Sequence, residues 1–262
     1  MTVAGITVPG QEIGVVNQAA YNGDGVSSGL LGLGFPANTR AYSGTNVAQD
    51  SAQTQKIYNP IFTNMYTNGH VAPMFSLALD RAGGGQLAFG GLPPVSYTNS
   101  FASAPFQILQ TSSPDGQVES SSSYTFYTIN VGGFAVGGAS SAVNSTTTQM
   151  IVDSGTTQNY VPEAVADAVN YAFNPPPFYK SSAGDYIISC DSKPPTFGVV
   201  IGGKTFTVDP RDMIINEGGR CISGVASTGA TGTSILGHSF LKNVVAVFNV
   251  GGQVMEFAPH VY

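Results

Sequence analysis

One carboxylate in this sequence is framed for chemistry. Asp153 follows the apolar run Met150-Ile151-Val152 and precedes Ser154-Gly155-Thr156-Thr157. The apolar residues read as a buried strand, and Asp-Ser-Gly reads as a sharp turn that presents the carboxylate at the strand's end. Gly155 has no side chain and lets a second backbone approach closely. The hydroxyls of Ser154 and Thr156 are expected to hold the carboxylate oxygens in plane. A buried carboxylate must be hydrogen-bonded or protonated, and here the neighbouring residues supply the donors. The chemistry open to a carboxylate held this way is proton transfer.

The other acidic residues lack that frame. Of 15 Asp and Glu residues, only Asp153 has an apolar run before it and a small-residue turn after it. Asp24-Gly25 and Asp115-Gly116 have turn chemistry without apolar strands before them. His70, His238, His260 and the two cysteines have no metal-ligand spacing, so no metal is expected. No Gly-x-Ser-x-Gly elbow frames a serine. Gly198 to Thr205 matches the phosphate-loop pattern letter for letter, but Pro194-Pro195 precede it and the alternating Thr205 to Val208 follows it. A phosphate loop needs a strand before and a helix after. A hairpin with a Gly-Gly-Lys turn is expected instead, and no cofactor.

The elements that position Asp153 read mostly as strands. Alternation predicts strands at Val3 to Val8 and Gln11 to Val16, and a hairpin of Met74 to Leu79 with Gln86 to Phe89. Further pairs are predicted for Tyr124 to Val131 with Phe134 to Val136, for Phe197 to Ile201 with Thr205 to Val208, and for Val244 to Phe248 with Val254 to Phe257. Pro162 to Ala172 reads as a helix with Val165, Ala168, Val169 and Ala172 on its apolar face. Ala52 to Asn68 is expected to hold a second helix, interrupted by Pro60, and the Ser-rich stretch Ser112 to Ser123 reads as a surface loop. One segment echoes another. Ser28-Gly29-Leu30-Leu31-Gly32-Leu33-Gly34-Phe35 resembles Thr233-Ser234-Ile235-Leu236-Gly237-His238-Ser239-Phe240, which points to two related lobes.

Composition narrows the class. The chain has 262 residues, 42% hydrophobic and only 9% charged, enough apolar material for a packed core. Nine basic residues are spread thinly in a chain of net charge −6, so no nucleic-acid partner is expected. No apolar run approaches the ~18 residues of a membrane span, and no signal peptide is visible at the start. Cys190 and Cys221 are either one disulfide or two buried thiols. Asn144-Ser145-Thr146 is a candidate glycosylation acceptor.

Taken in order, these residues resemble the pepsin-like aspartic peptidases. Ile151-Val152-Asp153-Ser154-Gly155-Thr156-Thr157 is similar to that family's second catalytic motif. Ser234-Ile235-Leu236-Gly237 is similar to the aliphatic-Gly element that passes under it, and Gly29 to Gly34 to the equivalent element of the other lobe. The resemblance implies a mostly β, bilobal fold, with residues 1–92 as a remnant of the N-terminal lobe and 93–262 as a complete C-terminal lobe. It implies a disulfide between Cys190 and Cys221, and a peptide or protein substrate bound extended in a cleft. It also implies a monomer, in an extracellular or vacuolar setting. Asp153 would be one of two catalytic aspartates that share a proton around a water. Gly155, Thr156, Tyr127 and Leu236 are the expected substrate-binding residues, with Ser154, Ile235, Gly237 and His238 supporting them. The family often has Asp where His238 stands, and a cation there would favour ionised Asp153.

The departure from the family lies in the other half of the dyad. Its first Asp-Thr-Gly motif and its tyrosine-bearing flap are not in this sequence. The N-terminal lobe is therefore expected to be incomplete, and the chain alone is expected to have little or no peptidase activity. A non-catalytic peptide- or protein-binding module is the alternative, and a homodimer using two copies of Asp153 a more distant one.

Overall fold

Strands dominate the computed structural model, which describes residues 1–16, 26–27, 29–112, 118–120, 122–137, 142–182, 184–229 and 232–262, without the side chains of 112, 118–120 and 142–144. Val, Ile, Phe and Ala at alternate positions suit a pleated surface with one buried face. The largest sheet has ten strands. Its order is Val225–Ser227, Asn159–Val161, Ser234–Leu236, Thr148–Val152, Thr128–Val131, Ala102–Gln107, Val254–Pro259, Val244–Asn249, Met74–Leu79 and Gly85–Phe89. This sheet takes strands from both sides of residue 92. The join is the antiparallel pairing of Met74–Leu79 with Val244–Asn249. Phe75 stacks on Phe248 across it, with ring centroids 4.4 Å apart.

A side-chain network reinforces the join. Arg81, in the turn after Met74–Leu79, donates to Asp212 at 2.9 Å and to Asn243 at 3.0 Å. Its guanidinium also lies 3.9 Å above the Tyr262 ring. Asp209 pairs with Arg81 at 3.4 Å and with Arg211 at 2.8 Å. The Arg211 hydrogen bonds hold Asp209 well below the usual carboxylate range, against its partial desolvation, and the Arg81 charge adds to the effect.

Three of the predicted hairpins form: Met74–Leu79 with Gly85–Phe89, Phe197–Ile201 with Lys204–Val208, and Val244–Asn249 with Val254–Pro259. The second contains the phosphate-loop look-alike, with Gly202 and Gly203 at its turn. Other expectations are corrected. Thr128–Val131 and Gly133–Val136 do not pair with each other. The first belongs to the ten-stranded sheet and the second pairs with Phe197–Ile201 in a four-stranded sheet. Val3 to Val8 is not one strand but a two-residue hairpin, turned at Ala4 (φ 51°) and Gly5 (φ 80°), and Gln11 to Val16 has no regular structure. Within Ser112 to Ser123, Val118–Ser120 pairs with Gln110–Ser112.

The helix predicted from Pro162 covers Glu163–Asn170 and buries Val165, Ala166, Val169 and Asn170; Ala172 lies beyond it. Pro60 does not interrupt the other helix but precedes it at Ile61–Thr67, because a proline ring is tolerated only at a helix start. Cys190 and Cys221 form a disulfide. The side chain of Asn144 lies outside the described residues, as do Asp24, Ser28 and Asp115. Among the described residues, no helix is long and apolar enough to cross a membrane.

Candidate active site

The strand Thr148–Val152 delivers Asp153, and Ser234–Leu236 runs parallel beside it with Val152 level with Leu236. On the other side of Ser234–Leu236 lies Asn159–Val161, antiparallel, with Tyr160 opposite Ile235. The chain therefore leaves one side of Ser234–Leu236 at Asp153, turns through residues 154–158, and returns on the other side. The backbone N–H of Asp153 donates to the Leu236 carbonyl at 3.0 Å. Asn159 Oδ1 accepts from the Gly237 N–H at 3.0 Å. Gly237 is needed for its size: a Cβ there would sit 2.2 Å from the Gln158 carbonyl oxygen and 2.5 Å from that of Thr156.

Each carboxylate oxygen of Asp153 has a donor. The Gly155 N–H donates to Oδ1 at 2.8 Å, and the Thr156 hydroxyl donates to Oδ2 at 2.6 Å. The sequence assigned one of these two positions to the Ser154 hydroxyl, but a backbone N–H fills it. A Cβ on Gly155 would lie 3.1 Å from Asp153 Oδ1, so the glycine leaves room for the carboxylate itself. Ser154 contributes its carbonyl instead, which lies 2.6 Å from His238 Nε2.

Asp153, Ser154 and Gly155 line a cavity of about 410 Å³. Its walls include Leu30 to Gly34 together with Phe75, Phe126, Tyr127 and Phe248. Tyr127 is buried, and its hydroxyl donates to the Leu33 carbonyl at 2.7 Å. Burial raises the Tyr127 hydroxyl above its ordinary range, with Tyr66 adding to it, so it remains a donor. Leu236 is fully buried, and what it gives Asp153 is its carbonyl. Asp153, Gly155 and Tyr127 thus meet at the cavity. Thr156 holds Asp153 from within the turn, while Ile235 and Leu236 lie in the neighbouring strand and Gly237 at its end.

The donors that the sequence did not reveal are backbone groups and one ring nitrogen. Backbone N–H groups carry no residue signature. The asparagine that caps Gly237 follows Asp153 by six positions, and only the fold shows that it faces that glycine.

A mostly β fold in which a carboxylate is cradled at a strand end, over a second strand and under an apolar cavity, is that of an acid protease. The model of the eukaryotic aspartyl protease family matches residues 1–260, and the chain belongs to that family. It is 41% identical to a "Probable aspartic-type endopeptidase" of Aspergillus fumigatus, over 98% of this chain and 59% of the relative. It is 28% identical to Penicillopepsin-1 of Penicillium janthinellum, over 99% of this chain and 72% of the relative. Among solved structures it resembles the aspartic proteinase from Irpex lacteus, with a TM-score of 0.65 and 18% identity over 92% of this chain and 70% of that one. The chain thus spans about three fifths of the length of the Aspergillus relative.

Proposed function

We propose that this chain carries one half of the catalytic dyad of an aspartic endopeptidase, with Asp153 as its carboxylate. The observation that supports this reading is the cradle. One backbone N–H and one hydroxyl fix the two oxygens of Asp153 at the wall of an apolar cavity. A carboxylate fixed in this way is ready to exchange a proton without reorganising.

In the reaction, an ionised aspartate takes a proton from a water as the water oxygen attacks the peptide carbonyl carbon. The partner aspartate, protonated, gives its proton to the carbonyl oxygen. The tetrahedral species then collapses: the C–N bond breaks, the nitrogen takes the proton held by the first aspartate, and a hydroxyl on the former carbonyl carbon returns a proton to the partner aspartate. Two carboxylates at close range favour sharing one proton, and their titration belongs to the pair. Within these 262 residues only Asp153 has the required frame, so the partner group comes from outside them. The substrate lies extended, with backbone groups near Ser154 and Gly155 pairing with it as an added strand would and Tyr127 walling one side. Leu236, Ile235 and Gly237 act as the floor. Residues 1–92 and 93–262 are read as two lobes that share the large sheet. The Cys190–Cys221 disulfide favours an oxidising compartment, extracellular or vacuolar.

The presence of a single framed acid favours one other reading, a peptide-binding module without catalysis. Asp153→Asn, introduced into the longest natural form of the protein, separates the two. For the enzyme, peptide hydrolysis in acid falls by at least about a thousandfold while peptide binding persists. Unchanged hydrolysis in the variant removes Asp153 from the mechanism, and no hydrolysis by the unsubstituted natural form favours the binding module.

A further inference from the structure

The Ser154 carbonyl and the Gly155 N–H belong to one peptide unit. That unit is planar and trans, so its C=O and N–H point in opposite directions and turn together. The N–H end of the unit holds Asp153 Oδ1 at 2.8 Å. The C=O end lies 2.6 Å from His238 Nε2. A carbonyl oxygen only accepts, so Nε2 carries the hydrogen. The neutral ring with its hydrogen on Nε2 meets that requirement, and so does the imidazolium. The neutral ring with its hydrogen on Nδ1 does not.

The same segment grips the turn twice more. The His238 N–H donates to the Thr156 carbonyl at 2.8 Å, and the Ser239 N–H donates to that of Thr157 at 3.1 Å. Those two bonds are made by backbone, and most residue types would keep them. The bond to Ser154 depends on the side chain at 238. An ionised aspartate in that place would have no hydrogen to give and would set an acceptor against an acceptor. Leucine there would leave the carbonyl to water.

We propose that His238 is a positioning residue: through Nε2–H it braces the Ser154 carbonyl and so aims the Gly155 N–H at the carboxylate of Asp153. A donor on the carbonyl also polarises the peptide unit and strengthens its N–H as a donor. The proposal rests on Asp153 being the working carboxylate, but its test needs no turnover.

The test is nitrogen-15 NMR of the unsubstituted chain with its His238→Gln and His238→Leu variants. In the unsubstituted chain, the His238 ring is expected to show a hydrogen on Nε2. The Gly155 amide is expected to exchange about fivefold faster in His238→Leu, the change one net hydrogen bond gives. It is expected to return to within about twofold of the original rate in His238→Gln, whose amide can donate to the same carbonyl. A ring with bare Nε2, or a Gly155 amide indifferent to leucine, overturns the brace. If the leucine variant does not fold, the ring signature of the unsubstituted chain decides alone. Loss of the peptidase reading through Asp153→Asn would leave these ring and amide signals as they are read.

Discussion

Two segments of this chain have nearly the same residues and opposite surroundings. Ser234–Leu236 lies between two strands, Leu236 is fully buried, and Gly237 is boxed in by the carbonyls of Thr156 and Gln158. In the matching segment, Leu30 is 88% exposed and Leu31 42% exposed, and residues 29–34 belong to no strand. Gly29 and Gly32 would meet nothing within 4 Å if given a Cβ. An aliphatic-Gly run is therefore not a floor in its own right. It becomes one when strands flank it on both sides and a turn crosses above it. The first segment instead forms a wall of the cavity, fixed by the Tyr127 hydroxyl on the Leu33 carbonyl and by the Tyr127 and Phe35 rings, 4.6 Å apart.

The largest effect is expected at the crowded glycine. Gly237→Ala forces a Cβ into two carbonyls and should cost roughly 3 kcal/mol or more, or prevent folding. Gly32→Ala should stay within about 0.5 kcal/mol. Denaturant midpoints compare them, and equal costs would remove the distinction between the two segments.

Leu236→Ala should lose about 3 kcal/mol by leaving a cavity. Leu30→Ala should again stay within about 0.5 kcal/mol. A large loss at Leu30 would mean that its segment is packed in solution. Below the loss expected at Leu236, Tyr127→Phe should cost about 1 kcal/mol, the net value of one hydrogen bond. Its thermal midpoint should fall by a few degrees, with the wall segment loosened and the floor unaffected.

The mildest prediction concerns pH. Asp209 is depressed in the folded chain, so it binds protons more weakly there than when unfolded. Its stabilisation is complete above about pH 5 and is lost as pH falls through the unfolded carboxylate range near 4 towards the lower folded value. The stability gap between the unsubstituted chain and Asp209→Asn should therefore be constant near neutrality and shrink in strong acid. A gap that widens on acidification would contradict the pairing.

Much of this was legible in the residues. Three hairpins declared themselves by alternation around glycines, and the Asp153 turn by its apolar lead and small followers. What stayed hidden depends on spatial neighbours. Gly132 and Gly133 read as a hairpin turn, yet the chain passes there from one sheet into another, because Gly133–Val136 pairs with Phe197–Ile201, some 60 residues ahead. The two aliphatic-Gly runs looked equivalent because burial is set by flanking strands and not by the run. The Gly155 donor had no signature at all, since every residue but proline has that N–H.

The claim on which the account rests is that Asp153 needs a second carboxylate that these 262 residues do not frame. Its most direct test is hydrolysis of an unfolded protein substrate by the purified 262-residue chain between pH 3 and 6, with Asp153→Asn as the background. No cleavage above that background is expected. Sustained turnover by the chain, abolished in Asp153→Asn, would contradict it.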